Sequence, residues 1–223
     1  MIKVILHLLL IFLPFKLKRF FYKKLFNFEI HTSARIGMSL VMPEALYMDQ
    51  YSSIGNFNVI KGVTKVTLGL SASISNLNWI SGFPINTNSL HFSDQSNRVP
   101  ALILGDHSAI TNRHLIDCTD TVTFGRFSTF AGFRSQILTH SISIVDSRQR
   151  SGPVIIGDYT FTGTGSIILP NSFLPNFSVL GAGAVLNKKY NEEYFLYAGN
   201  PARPVKKLGC DAVYFNRKSG FVN

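Results

Sequence analysis

The chain has 223 residues, room for one sizeable domain and an appendage. Hydrophobic residues make up 46% of it and charged ones only 15%, which suits a continuous apolar column whose flat outer faces pack against copies of itself. The formal net charge of +10 sits beside an oily segment rather than along a groove-sized face, which argues against nucleic-acid binding, and two cysteines, Cys118 and Cys210, make neither a metal spacing nor a disulfide framework. A reducing cytoplasm is the economical location.

Residues 1–28 form the first unit. Lys3, Lys16, Lys18, Arg19, Lys23 and Lys24 all precede Glu29, the first acid. Residues 2–15 are apolar apart from Lys3 and His7, and close at Pro14. That run is shorter than the roughly 20 residues a spanning helix needs. No small-residue cleavage site follows; FKLKRFFYKKLF comes instead. Such a segment reads as a helix or helical hairpin lying on an anionic membrane surface, or as a cap on the open end of the domain, and the two are compatible. The chain is then either free in the cytoplasm or peripheral on the inner face of the membrane.

Residues 29–208 form the second unit, organised by a period of six. Ile156, Thr162, Ile168, Leu174, Leu180 and Leu186 fall every six residues, and Gly157, Gly163 and Gly181 follow three of them. Leu104, Ile110, Ile116 and Val122 keep the same step, which restarts two residues out of phase at Phe124 and Phe130, as a longer corner would cause. Leu68, Ile74 and Ile80, and before them Ile30 and Ile36, extend it upstream. A period of six is neither helical nor a simple strand repeat. It is one short strand plus one turn, the side of a triangular coil with three hexads per rung. The glycines are expected to supply positive φ at the corners. Residues 81–103 and 139–153 break the period as polar loops, where chemistry on a rigid scaffold usually lies. Residues 209–223 form a short tail.

With IIGDYTFTGTGSIILPNSFLPNFSVLGAGAVLNK at 155–188 and AGNPARPVKK at 198–207, the chain resembles the hexapeptide-repeat acyltransferases, including the maltose and galactoside O-acetyltransferases and polysaccharide O-acetyltransferases. The resemblance spans residues 30–208 as a fold and 122–207 in motif detail. It implies an all-β, left-handed parallel β-helix, assembled as a homotrimer with active sites shared between subunits. It further implies acetyl-CoA as co-substrate, no metal, and a sugar or lipid-linked glycan as acceptor.

The family places one histidine on a loop just before the rung G-x-P-V-x-I-G, and ILTHSISIVDSRQRSGPVIIG puts His140 there. A neutral imidazole can take the proton of a sugar hydroxyl as it attacks a thioester. By position, the backbone N–H of Thr164 would face the thioester oxygen. Gly163, Thr164, Ala182, Asn187, Lys188 and Lys206 would contact the cofactor, Ala182, Asn187 and Lys188 near its pantetheine arm and Lys206 at its nucleotide phosphates. Asn187 stands where the family has Thr, and NKKYNEEYF replaces a proline-rich corner. For the acceptor, His114 and Asp117 are candidates, one to bind the sugar and the other to orient it or His140. Arg134, Gln136, Asn76, Asn78 and Trp79 are further candidates, each equally readable as structural. His114 is the rival base.

Three other readings stay open. N-acylation of an amino-sugar nucleotide would use the same base. A zinc carbonic anhydrase on this fold would need His107, His114 and His140 together. A non-catalytic scaffold would need neither the histidine loop nor the AGNPAR exit.

Overall fold

Each hexad becomes one side of a triangle. The computed structural model describes residues 2–85, 87–220 and 222; Met1, Asn86, Phe221 and Asn223, which fall in the N-terminal segment, the first loop and the tail, lie outside the described residues. Among the described residues the coil has three parallel sheets, here called the first, second and third faces, of seven, nine and seven strands. The ninth strand of the second face, Arg203–Lys207, is antiparallel and closes one end.

The hexad residues all point inward: Ile156, Thr162, Ile168, Leu174, Leu180 and Leu186 are at most 1% exposed, and Leu68, Ile74, Ile80, Leu104, Ile110, Ile116, Phe124 and Phe130 match them. Each fully buried Leu or Ile contributes about 1.5–3 kcal/mol, so the column carries the fold. The phase slip is indeed a longer corner, Cys118–Thr121, between the strands Leu115–Asp117 and Val122–Phe124. Rungs therefore differ in length. Ile156 pairs with Leu174, 18 residues on, but Leu46 pairs with Val66 and Leu102 with Val122, 20 residues on.

The corner glycines act differently from the expectation. Gly157, Gly163 and Gly181 do not have positive φ; that conformation falls to Tyr159, Phe177, Asn171, Gly165 and Gly183. What Gly157 and Gly163 provide is the absence of a Cβ. One built on Gly163 would lie 2.6 Å from the backbone N of Ala182, and one on Gly157 2.6 Å from that of Asn176. Successive rungs approach too closely there for any side chain.

Two helices, α1 (Ile2–Leu10) and α2 (Phe15–Phe26), cover the first rung. Leu10, Tyr22 and Phe28 are buried against it, and the His7 ring lies 3.9 Å from that of Phe26. Lys18 is buried too, and its ammonium donates to the carbonyls of Ile11 and Gly37, which ties α1 to the prism. The tail folds back rather than hanging free. Phe215 packs edge-on against Phe177 and Tyr194, and the Tyr214 hydroxyl donates to the Thr160 carbonyl at 2.8 Å.

Both long insertions leave the prism where the third face turns into the first. The first insertion is narrower than expected, residues 82–100 between the strands Trp79–Ser81 and Ala101–Leu104, and the second follows Gln136–Ile137. The second is more ordered than a loop: His140–Ser143 and Arg148–Ser151 pair as an antiparallel hairpin. Between the two, on the intervening rung, lies the corner that begins at Asp117.

Candidate active site

That stacking brings Asp117 to His140. Asp117 ends the strand Leu115–Asp117 and His140 opens the hairpin one rung later, so the carboxylate Oδ2 and the imidazole Nδ1 stand 2.7 Å apart. Oδ2 also accepts from the Thr139 backbone N–H at 2.8 Å and its hydroxyl at 2.9 Å. Oδ1 accepts from the Thr119 N–H and hydroxyl. Burial pushes the Asp117 carboxyl upward, but hydrogen bonds from His140 and Thr119 outweigh it and hold it below the usual carboxylate range. The partner carboxylate in turn raises His140 above its ordinary value, against an opposing push from burial and from Arg98.

With Nδ1–H committed to Asp117, Nε2 carries the lone pair. The side chain is 40% exposed, so that nitrogen is open to a reactant. The arrangement fixes the orientation of the imidazole.

The 81–103 insertion forms the wall beside it. Phe92 meets the His140 ring edge-on at 6.0 Å, and the buried guanidinium of Arg98 lies 4.6 Å over the Phe92 ring. Arg98 donates to the carbonyls of Phe83, Pro84 and Thr119. It thus fastens the insertion to the corner that holds Asp117. Asp94 pairs with Arg148 and Arg150 of the hairpin, and Gln95 hydrogen-bonds the backbone of Ser151. A cleft of about 490 Å³ opens between the two insertions, lined by Leu90, Phe92, Ile142, Arg148 and Gln149 among others. Sequence reading missed Phe92 and Arg98. The available signal was slight: Arg98 is the sole cation in residues 81–103.

No protein-family model matches the chain. A stretch of 84 residues is 29% identical to a chloramphenicol acetyltransferase of Klebsiella aerogenes, covering 38% of this chain and 40% of that protein, so well under two thirds of the relative's length is matched. Among solved structures, the N-acyltransferase AntD of Bacillus cereus, solved with dTDP-4-amino-4,6-dideoxyglucose and coenzyme A, superposes with a TM-score of 0.59 at 16% identity, over 90% of this chain and 92% of that one. The polysialic acid O-acetyltransferase OatWY gives 0.50 at 21% identity, over 81% and 84%. The chain has the hexapeptide-repeat acyltransferase fold, a left-handed parallel β-helix.

Against this hexapeptide-repeat frame the remaining candidates separate by corner. His114, Asn76 and Asn78 belong to the corner between second and third faces, His114 and Asn78 buried inside the prism and Asn76 half-buried. Asn78 accepts from the His114 N–H and donates to Asn58 and the Thr111 carbonyl; Asn76 accepts from the Asn56 N–H and donates to Asn112. These are asparagine ladders that stitch rungs together. His114 is 2% exposed; its Nδ1 accepts from the Ser135 N–H and its Nε2 bonds the Thr111 hydroxyl. Burial lowers its pKa to about 4. Both ring nitrogens are engaged within the protein, so the buried His114 presents no free ring nitrogen to a ligand. His107 is stacked on Phe127 at a different corner again.

Trp79 and Gln136 lie outward on the third face, with the Lys61 ammonium 4.9 Å over the indole. Arg134 is exposed at the second-to-third corner, with φ 57°. Gly163, Thr164 and Ala182 stack at that same corner, where the Thr164 hydroxyl exchanges hydrogen bonds with the Phe133 backbone. Asn187 and Lys188 follow the strand Val185–Leu186 and so share the His140 corner, two rungs further on. Lys206 is exposed on the closing strand of the second face. Thr164 and His140 thus flank one face from opposite corners, roughly 15 Å or more apart at strand rise. A single chain does not bring them together.

Proposed function

We propose that the chain is an acetyl-CoA-dependent O-acetyltransferase acting on a sugar hydroxyl, with His140 as general base. The observation that carries this reading is the Asp117–His140 pair, oriented through Nδ1 on an imidazole that is 40% exposed. His140 Nε2 takes the proton of the attacking hydroxyl as its oxygen bonds the thioester carbonyl carbon. The carbon–sulfur bond breaks, and His140 returns the proton to the departing thiolate. The backbone N–H of Thr164 would receive the developing oxyanion, Lys188 would lie near the pantetheine arm, and Lys206 would meet the nucleotide phosphates. Ala182, small and one rung beyond Gly163, would offer its backbone to the pantetheine arm at the same corner.

Because His140 and Thr164 stand at opposite corners, the site closes between two copies, consistent with a homotrimer. The outward row of the third face supports such packing: Val59, Trp79, Leu115, Ile167 and Val185 are in register and apolar, with the polar Gln136 between Leu115 and Ile167. A verified monomeric variant with strong turnover would overturn this.

The likeness to OatWY favours a sugar hydroxyl, and a lipid-linked glycan of surface polysaccharide assembly is the acceptor we put forward. The likeness to AntD, over 90% of the chain, favours a second reading, N-acylation of an amino-sugar nucleotide. The deciding experiment measures CoA release from acetyl-CoA with soluble sugars, lipid-linked glycans and amino-sugar nucleotides. Wild type should respond to a hydroxyl acceptor and His140→Ala should lose about 10²–10⁴-fold while still binding CoA. Response only to amines selects the second reading; no CoA binding removes both.

A further inference from the structure

The helical cap has two sides, and only one is used by the fold. On α1, Val4, Ile5, Leu8, Leu9 and Phe12 just beyond it are exposed, Leu9 at 63% and Phe12 at 81%. Their spacing of one, three and four residues makes a single stripe. The buried residues His7 and Leu10 lie on the other side. On α2 the buried pair is Lys18 and Tyr22, while Leu17, Phe20 and Leu25 are exposed beside Lys16, Lys23 and Lys24. Folding buries the inner side against the prism and leaves the outer one without a partner among the described residues.

We infer that the outer side of the α1–α2 cap docks on an anionic lipid bilayer and holds the prism against it. Charge complementarity selects this occupant. Residues 1–28 contain no acid, and of their cations Lys3, Lys16, Lys23 and Lys24 remain exposed, since Lys18 is buried in the cap and Arg19 bonds the Thr32 carbonyl. Apolar stripes rimmed only by lysines are matched to lipid headgroups over acyl chains. The helices lie on the bilayer rather than cross it. Nine and 12 residues reach about 14 and 18 Å, against roughly 30 Å of hydrocarbon, and none of the described helices is long and apolar enough to span.

The geometry also sets the reach of the active corner. His140 follows the fifth strand of the third face, four rung spacings from the first, or roughly 20 Å below the capped end. With the cap on the membrane, the base meets a sugar several units from a lipid anchor. Docking itself does not depend on the acetyl-transfer reading.

The test is flotation of the full chain with vesicles of phosphatidylcholine alone or with one third phosphatidylglycerol. We expect flotation with the anionic vesicles only, a loss of at least about tenfold in Leu9→Ser/Phe12→Ser, and a similar loss in Lys23→Gln/Lys24→Gln. All four side chains are exposed, so melting temperature and particle size should stay as in wild type. Absence of flotation by wild type overturns the inference. So does a change of oligomeric size in Leu9→Ser/Phe12→Ser, which would make a second copy the occupant, and so does retained flotation of both variants.

Discussion

The carboxylate of Asp117 and the imidazole of His140 are 2.7 Å apart although 23 residues separate them in the chain. Five donors converge on that carboxylate, from Thr119, Thr139 and His140, so it is anionic and fixed. The pair has a definite consequence for pH.

In the proposed mechanism His140, its pKa raised above the ordinary value, is protonated and inactive as a base until the pH passes that raised pKa. We predict that kcat/KM climbs through a midpoint above about 6.5. In Asp117→Asn the stabilising charge is gone, so the midpoint moves to lower pH while the plateau falls about 10²-fold or more, because the ring loses its orienting acceptor. A pH–rate profile of both enzymes checks both signs. An unmoved midpoint would show that Asp117 does not act on the base.

Arg98 acts at one remove. Its guanidinium joins three carbonyls of two segments and lies beneath the Phe92 ring that touches His140. Arg98→Met should free residues 81–103 to proteolysis and lower kcat/KM at least about tenfold, the scale of a displaced positioning contact. It also removes a cation that holds His140 down, so the kinetic midpoint should rise. A purely structural role would leave the midpoint in place.

His114 predicts a stability effect. Its folded pKa, lowered by burial to about 4, lies below the unfolded value near 6.5. Its contribution is complete above the unfolded pKa and is lost as pH falls through the folded one, amounting to roughly 3 kcal/mol across that window. Urea denaturation at steps between those pH values should show the loss. His114→Gln should flatten it, at the cost of lower stability at neutral pH.

Gly163→Ala places a Cβ 2.6 Å from the Ala182 nitrogen, where backbone rather than a pliable side chain must yield. We expect a loss of about 1–3 kcal/mol, as for other overpacking. CoA affinity should fall as well, since this corner is the proposed pantetheine path. Thermal melts and CoA titration of the variant separate the two effects.

The column of the prism was legible residue by residue. The six-step run from Ile156 to Leu186 is buried throughout, and even the slip at Phe124 announced the long corner at Cys118–Thr121. His140 was singled out in sequence by the loop that carries it, and the structure sets it against Asp117. Less was visible at the neighbouring polar positions. Asn76, Asn78, His114 and Asp117 look alike in sequence, polar residues near strand ends, and the structure assigns the first three to internal stitching and only Asp117 to His140. The glycines were found for the wrong reason, needing close approach and not positive φ.

By itself the sequence determined the coil, because an inward apolar residue every sixth position is a local, periodic requirement that no other regular structure meets. It also determined the basic, apolar character of residues 1–28. Tertiary structure decided what periodicity cannot encode: which polar side chain meets which across rungs of 18 or 20 residues, and how residues 81–103 fold back to press Phe92 and Arg98 on His140. Those contacts depend on corner lengths and on insertions packing against each other. Both are properties of the stacked coil and are absent from any single hexad.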